Sequence, residues 1–220
     1  MCVNYLSVSP QMVLDLFGAS VFDSEDWREE LYQDYLGPII VHDEHDKRIA
    51  LGASYGMIPK AHMPPGQRLT TMNARAETVG QLRTYKGAWS RSQLCLVPMQ
   101  CFFEPNWEGP KHVRWSIGMA DGSPFAVAGL YRSWTEEDGA TSYSFTQLTI
   151  NADEHPLMKR LHRPGDEKRS LVIIKSDEYD DWLSCRDPER ARSYLQLYPA
   201  ELMAGAPAPK ETVKQQASLF

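Results

Sequence analysis

Cysteine is scarce in this sequence, and its spacing is not that of a metal site. Cys2, Cys95, Cys101 and Cys185 form no C-x-x-C pair. A reducing cytosol also argues against a disulfide framework, so we expect the last three to be buried thiols. We expect neither a bound metal nor another cofactor.

Long apolar runs are absent as well. The longest, at 38–41 and 170–174, fall far short of the roughly 20 residues that a membrane-spanning helix needs. Residues 1–9 lack the basic start and long apolar stretch of a secretory signal. The sequence therefore predicts a cytoplasmic protein without membrane contact.

No linker-like segment interrupts the first 203 residues. The chain has 220 residues, 42% of them hydrophobic, which is enough for one well-cored domain. After Leu202 the composition changes to a stretch rich in Ala and Pro that lacks core periodicity. We predict a monomer with one domain at 1–203 and a flexible tail at 204–220.

The charge is unevenly distributed along the chain. A net charge of −6 argues weakly against a nucleic-acid partner, yet residues 60–91 hold six basic residues against Glu77 alone. A second basic cluster spans residues 159–169. Each cluster alone is typical of a solvated surface, whereas the two together are compatible with a groove for a polyanion.

Predicted strands outnumber predicted helices. Residues 38–42 and 48–54 flank a polar DEHDK segment, which is a hairpin pattern, and the DGSP turn at 121–124 predicts a second hairpin. The other strand-like runs are 94–98, 100–103, 113–119, 124–130, 143–150 and 170–175. The predicted helices are a short one between Ser9-Pro10 and Gly18, and 78–86, 153–161, 177–184 and 188–197. This pattern predicts an α+β fold with a largely antiparallel, barrel-like mixed sheet flanked by short helices.

The start of the chain carries a reactive pair of groups. Loss of Met1 leaves Cys2 with a thiol and a free α-amine on adjacent carbons. Their reference pKa values are about 8.5 and about 7.7–8.0, so both are partly nucleophilic at neutral pH. Such an aminothiol is suited to trapping aldehydes.

Three further stretches carry polar residues suited to chemistry. These are MNARAET at 72–78, CFFEPNW at 101–107 and LHRPGDEKRS at 161–170. Each has an ordinary structural interpretation by itself, because Asn73 fits a turn, Glu104 a solvated strand end and His162 a helix cap. Their combination with Cys2 favours function.

In this order, the motifs resemble the SOS response-associated peptidase (SRAP) family over about residues 1–185. The resemblance implies that Cys2, Asn73, Glu104 and His162 are catalytic. It implies self-removal of Met1 and covalent attachment to abasic sites in single-stranded DNA, with strand cleavage as a side reaction. The positions that it assigns to DNA contact are Asn4, Pro38, Met63, Arg75 and Thr149.

The residue chemistry agrees with this resemblance. The Cys2 amine can attack the C1′ aldehyde of an open abasic sugar, after which the thiol closes a thiazolidine. Glu104 would then serve as general acid and base, and His162 would act on the sugar oxygen. Asn73 would orient the amine, and Arg75 would hold a phosphate.

The sequence departs from the family's pattern near three of these positions. Asn4 stands where the family has an arginine and cannot neutralise a phosphate. Met63 lies where the family carries tryptophans that wedge into DNA. The residues after His162 also differ from the usual pattern, so His155 remains a rival for the catalytic histidine.

Two other functions remain open from the sequence. Cys2 and His162 could form the nucleophile and base of a thiol protease that acts on other polypeptides. Alternatively, the protein is a non-catalytic interaction module in which Cys2 is incidental.

The segment QASLF at 216–220 predicts a protein partner. It resembles the motif by which bacterial repair proteins bind the DNA sliding clamp, with Ala217 in place of the usual leucine. In that interaction Leu219 and Phe220 would fill an apolar pocket while Gln216 supplies hydrogen bonds. We therefore expect a cytoplasmic, nucleoid-associated protein.

Overall fold

A computed structural model describes residues 3–21, 27–67 and 69–210. Thirteen strands and four α-helices lie within these ranges. The strands are β1 (Tyr5–Ser7), β2 (Ser20–Val21), β3 (Glu30–Leu31), β4 (Leu36–His42), β5 (Arg48–Tyr55), β6 (Asn73–Arg75), β7 (Leu94–Asn106), β8 (Val113–Met119), β9 (Phe125–Thr135), β10 (Thr141–Asn151), β11 (Arg169–Leu171), β12 (Ile173–Ile174) and β13 (Met203–Pro207). The helices are α1 (Pro10–Phe17), α2 (Arg83–Ser90), α3 (Tyr179–Ser184) and α4 (Pro188–Arg192).

Five of the strands close into a barrel. The order is β9, β10, β5, β4 and β7, and β7 pairs back onto β9. β10 runs parallel to β5, whereas the other four pairs are antiparallel. The predicted α+β fold, with its barrel-like mixed sheet and short helices, is confirmed.

Alternate residues of the barrel strands enter two separate cores. On β7, Leu94 and Leu96 belong to a cluster that includes residues of α1, α2 and α3. Cys95 and Val97 belong to a second cluster that contains Phe145 of β10. Because a five-stranded barrel has no room for a helix, the helix-packed core is the outer one and the second core fills the barrel.

A β-bulge in β7 directs the second half of this strand. Leu6 pairs with Cys101 but Ser7 pairs with Met99, so Gln100 is an extra residue between them. The bulge reverses the alternation, and Phe102 consequently enters the inner core together with Met99. Glu104, two residues beyond Phe102, faces the same side.

The first helix follows its sequence pattern. The Ser9 hydroxyl accepts a hydrogen bond from the Met12 amide at 3.2 Å, and Pro10 occupies the first turn. Gly18 ends α1 with a left-handed backbone (φ +62°). The predicted helix is confirmed, and its Val13 and Phe17 pack on the outer face of the barrel.

The predicted helix at 153–161 is wrong. The segment is a series of turns with one 3-10 turn at Met158–Arg160. Pro156 has no amide hydrogen to donate, and His155 Nδ1 accepts the amides of Leu157 and Met158. These donors are therefore unavailable to a regular helix.

Two other helices differ from their predicted bounds. The helix predicted at 78–86 begins only at Arg83, after a turn in which the Thr78 carbonyl accepts two amide hydrogens. The last helix ends at Arg192 instead of residue 197. Gly80 lies in the turn that precedes Arg83, and a glycine weakens the start of a helix.

The hairpin at 38–54 is confirmed, but the second predicted hairpin is wrong. β4 and β5 pair as expected. β8 and β9 instead pair with successive halves of β7, as in Phe102 with Ile117 and Val97 with Val127. The two strands are thus joined by the turn without pairing to each other.

The ordered domain extends beyond residue 203. β13 pairs antiparallel with β8 along its whole length, so the predicted start of a flexible tail at residue 204 is wrong. Gly205 lies close to the Trp115 ring, where a side chain would be crowded. A strand that mainly satisfies an exposed edge needs no core periodicity, which explains why composition did not reveal it.

Candidate active site

Glu104 and His162 form a buried pair at the end of β7. Glu104 Oε2 lies 3.4 Å from His162 Nε2, and the two side chains are 3% and 7% exposed. The His162 amide donates to the Pro105 carbonyl at 2.9 Å. His162 has a left-handed backbone (φ +66°), which is uncommon outside glycine and is typical of a constrained functional position.

The start of the described chain runs beside this pair. β1 is antiparallel to β7, and the Phe103 amide donates to the Asn4 carbonyl at 3.2 Å. Cys2 lies outside the described residues, two positions before Asn4. The register therefore brings the chain segment that follows Cys2 next to the segment that carries Glu104.

Asn4 is buried, and its side chain points towards protein partners. The amide donates to the Glu30 carboxylate and, at 3.3 Å, to the Tyr32 hydroxyl. Arg114 and Lys210 also pair with Glu30. The predicted contact of Asn4 with DNA stays a prediction.

The Glu30 carboxylate is held in its charged form. Burial raises its pKa, but the Tyr32 hydroxyl and the cations of Arg114 and Lys210 outweigh this effect, so the pKa of Glu30 lies below its usual value. Arg114 also lies 3.3 Å above the centre of the Phe103 ring. Glu30 thus links β1 and β7 to the end of the described chain.

Asn73 lies on the side of the barrel that β10 forms. β6 runs parallel to β10 and pairs Asn73 with Gln147. The Tyr85 hydroxyl donates to the Asn73 carbonyl at 3.1 Å. Burial raises the pKa of Tyr85 to about 12, so this hydroxyl keeps its proton near neutral pH.

A layer of aromatic rings connects the two sides. The Tyr5 ring meets the Tyr55 ring edge-on at 5.3 Å, and the Tyr55 hydroxyl donates to Gln147 Oε1 at 2.8 Å. Gln147 is the register neighbour of Asn73. The Glu104 side and the Asn73 side are therefore joined through β1, β5 and β10.

The two basic clusters differ in their partners. Arg169 is buried and donates to the carboxylates of Glu77 and Glu167 and to the carbonyl and hydroxyl of Thr149. Arg75 of the first cluster lies on the edge of this network, 2.7 Å from Glu167 and half-exposed. Thr149 is buried, and its contact with DNA, like that of Arg75, stays a prediction.

Pro38 and Met63 occupy other regions. Pro38 pairs with Gly52 within the barrel and is buried, and it alternates with the inner-core residue Ile39. Met63 follows the 3-10 turn Lys60–His62 and lines a cavity of about 470 Å³ with Leu69 among its walls. DNA contact at both positions stays a prediction.

The rival histidine has a structural role. His155 Nδ1 accepts amide hydrogens from Leu157 and Met158, and Nε2 lies 2.9 Å from the Tyr198 carbonyl. Both ring nitrogens are thereby used by the backbone in a neutral ring. This geometry favours His162 as the functional histidine.

The structure adds residues that the sequence analysis did not consider. Tyr55 and Gln147 link the two sides, and Glu30 and Arg169 anchor them. Gln147 has a detectable signal, because it is a large polar residue on the same face of an apolar strand as Phe145. The pairing of Glu30 with distant strands had none.

The described residues offer neither a metal site nor a membrane-spanning helix. No group of three or more His, Cys, Asp or Glu side chains in the described ranges is arranged to hold a metal ion. Likewise, none of the described helices combines the length and apolar character required to cross a membrane.

Comparisons with known sequences agree with this geometry. The family model for SOS response associated peptidase (SRAP) matches residues 1–214, and the chain belongs to this family. Abasic site processing protein YoaM of Bacillus subtilis is 29% identical over 170 residues, or 74% of this chain and 70% of YoaM. Abasic site processing protein HMCES of Gallus gallus is 21% identical over 201 residues, which cover 78% of this chain but only 58% of HMCES.

Solved structures share the fold. A protein from Bordetella bronchiseptica superimposes with a TM-score of 0.84 and 32% identity, over 95% of this chain and 100% of that one. A protein from Bacteroides thetaiotaomicron gives a TM-score of 0.74 at 20% identity, over 93% and 90% of the two chains. The barrel, with its added strands, is thus a shared architecture.

Proposed function

We propose that this protein processes abasic sites in single-stranded DNA by forming a covalent crosslink through Cys2. The observation that carries the proposal is the buried Glu104–His162 pair beside the strand that follows Cys2. The family membership and the two relatives named as abasic site processing proteins support it. The substrate is the aldehyde of an open abasic deoxyribose.

The proposed reaction has two covalent steps. The Cys2 α-amine adds to C1′ of the aldehyde, and loss of one water gives an imine. The Cys2 thiolate then adds to C1′, the imine nitrogen takes up a proton, and a five-membered thiazolidine closes. The thiol of Cys2 thus converts a reversible imine into a stable ring.

Glu104 and His162 supply the proton transfers. Glu104 takes a proton from the attacking amine and returns it to the departing water, as a general base and then an acid. His162, 3.4 Å away, acts on the sugar oxygen as the ring opens. Asn73 orients the amine, and Arg75 contacts an adjacent phosphate.

Two activities belong to the same proposal. Removal of Met1 by hydrolysis of its peptide bond exposes the Cys2 amine and accounts for the peptidase in the family name. The imine also acidifies the C2′ proton, so β-elimination breaks the strand at the 3′ side of the lesion when the thiol closes the ring too slowly.

A denaturing gel with single-stranded DNA carrying one abasic site tests the proposal. Wild-type protein should give a heat-resistant band of lower mobility, and its intact mass should lack Met1. Cys2→Ala keeps an amine but no thiol, so it should give a band only after borohydride reduction. A stable band from Cys2→Ala without reductant rules out the thiazolidine, and the lack of any wild-type band rules out the proposed function.

We further propose that the segment 216–220, outside the described residues, binds the DNA sliding clamp and directs this cytoplasmic protein to the nucleoid. Gln216, Leu219 and Phe220 match the binding motif at its hydrogen-bonding and apolar positions. Fluorescence titration of clamp with a peptide of residues 208–220 should give an affinity on the order of micromolar. Leu219→Ala and Phe220→Ala should each abolish binding, and equal binding by all three peptides contradicts the interaction.

A further inference from the structure

Gln147 is a fully buried amide with one unused donor. Its side chain is inaccessible to solvent, at 0% exposure. Oε1 accepts the hydrogen bond from the Tyr55 hydroxyl, but Nε2 has no hydrogen-bond partner among the residues that the structure describes. Buried polar groups in proteins are nearly always paired, so an unpaired Nε2 points to a partner that is absent from the free protein.

The position of Gln147 indicates which partner fits. It is the register neighbour of Asn73 on β6 and lies two residues from Thr149 on β10. Because alternate residues of a strand share a face, Gln147 faces the inner side together with Phe145, the side to which the β7 bulge also directs Glu104. The unused donor therefore faces the same side of the sheet as Glu104, beside the strand that carries Asn73.

The tether to Tyr55 fixes the amide. The hydroxyl-to-Oε1 bond of 2.8 Å limits rotation of the amide, so Nε2 keeps one direction without a ligand. Such preorganised donors are effective because they need no rearrangement when the ligand arrives. A phosphate is a poor match for a neutral amide in a fully buried position, whereas an uncharged sugar oxygen is a good one.

We propose that Gln147 contacts the substrate and donates a hydrogen bond from Nε2 to a neutral oxygen of the abasic deoxyribose. This inference rests on the proposed function and names one more residue that recognises its substrate. The hydrogen bond forms only when the sugar occupies the site. Gln147 thereby favours an abasic sugar over an intact nucleotide, whose base would obstruct close approach.

Two substitutions separate substrate contact from support of the fold. Gln147→Met keeps the length of the side chain and removes both the Nε2 donor and the Oε1 acceptor of the Tyr55 bond. Under single-turnover conditions it should slow crosslinking by about tenfold, the size of one neutral hydrogen bond. It should leave urea unfolding close to that of wild type, because an unpaired buried donor is removed as well.

The second substitution makes the effect dependent on pH. Gln147→Glu keeps the shape, but its carboxylate cannot donate, whereas its protonated form can. The ratio of its crosslinking rate to that of wild type should therefore rise as the pH is lowered. Division by the wild-type rate at each pH removes the pH dependence that the two proteins share.

Thr146→Val is the matched control, since Thr146 is equally buried but lies on the opposite face of β10. It should crosslink at the wild-type rate. A wild-type crosslinking rate for Gln147→Met overturns the inference. This is the result expected if water alone pairs with Nε2. The inference is also overturned by a loss of activity that accompanies unfolding, or by a Gln147→Glu ratio that is independent of pH. Failure of wild-type protein to crosslink instead overturns the proposed function itself.

Discussion

Two charged clusters, one at the end of β7 and one around Arg169 of β11, are built differently. In the first, Glu104 faces His162 at 3.4 Å, and within the described chain the imidazole has no closer hydrogen-bond partner. In the second, the Arg169 guanidinium meets five acceptor atoms at 2.7–3.1 Å. An imidazole without a closer partner in the described chain can exchange protons with a substrate, whereas a guanidinium that donates five hydrogen bonds supports the fold.

Removing proton transfer from the first cluster should have the largest effect. Glu104→Gln keeps the shape of the side chain but cannot act as an acid or base. If proton transfer limits the rate, crosslinking should slow by about 10²–10⁴-fold. Single-turnover gels with abasic DNA measure this, and Glu108→Gln, an exposed partner of Arg160, is the control that should stay near wild type.

The histidine of the first cluster can be tested against its rival. His162→Ala should slow crosslinking more than His155→Ala does, because only His162 contacts Glu104. His155→Ala should instead lower the free energy of unfolding, since it removes the acceptor for two backbone amides. A larger loss of crosslinking for a well-folded His155→Ala would mean that the catalytic histidine is wrongly assigned.

Substitutions in the second cluster, around Arg169, should change the stability of the fold. Arg169→Met removes the guanidinium bonds to Glu77, Glu167 and the Thr149 carbonyl and should lower the free energy of unfolding by about 2–3 kcal/mol. The expected loss is moderate because Glu77 and Glu167 remain partly exposed. Arg160→Met, which breaks an exposed pair, should cost less than about 1 kcal/mol in urea unfolding. Equal losses of unfolding free energy for Arg169→Met and Arg160→Met would contradict the distinction between the buried guanidinium and the exposed pair.

The same network should make stability depend on pH. Burial raises the pKa of Glu77, but its bonds to Arg169 outweigh this, so the pKa of Glu77 lies below the ordinary value of 4.5. A depressed carboxyl pKa stabilises the fold fully above that ordinary value, and the contribution is lost as the pH falls through the lower pKa of the folded state. Arg169→Met should therefore flatten the acid limb of stability measured by urea titration. An unchanged acid limb would remove Glu77 from this role.

Sequence reasoning reached the features that short motifs encode. The barrel strands follow apolar runs, and α1 follows its Ser9, Pro10 and Gly18 signals. The joint order of motifs at Asn73, Glu104 and His162 indicates the family from sequence alone. Local patterns suffice where a single segment determines its own secondary structure.

The remaining features depend on contacts between residues that are far apart in sequence. The bulge at Gln100 depends on the register between β1 and β7, and β13 exists because β8 offers an open edge. The two basic clusters together are compatible with a polyanion groove in the sequence, yet Arg169 of the second one meets Glu77, which is far away in sequence. A run of basic residues in the sequence does not show which carboxylates its side chains contact in the fold.

Arg75, at the edge of the network around Arg169, should show the smallest effect. It is half-exposed and pairs with Glu167 at 2.7 Å, so DNA must compete with that carboxylate for its guanidinium. Arg75→Ala should weaken binding to undamaged single-stranded DNA and reduce the slope of log K against log salt by about 0.7, the value for one phosphate contact.

Glu167→Gln should act in the opposite direction. It removes the competing charge, so Arg75 becomes available and binding should strengthen, with a steeper dependence on salt. Lys47→Ala, which deletes an equal charge on the distant β4–β5 turn, is the control for net charge. Fluorescence anisotropy over a salt series measures all three variants. If Arg75→Ala and Lys47→Ala change the slope equally, Arg75 makes no specific phosphate contact and belongs to the supporting network around Arg169.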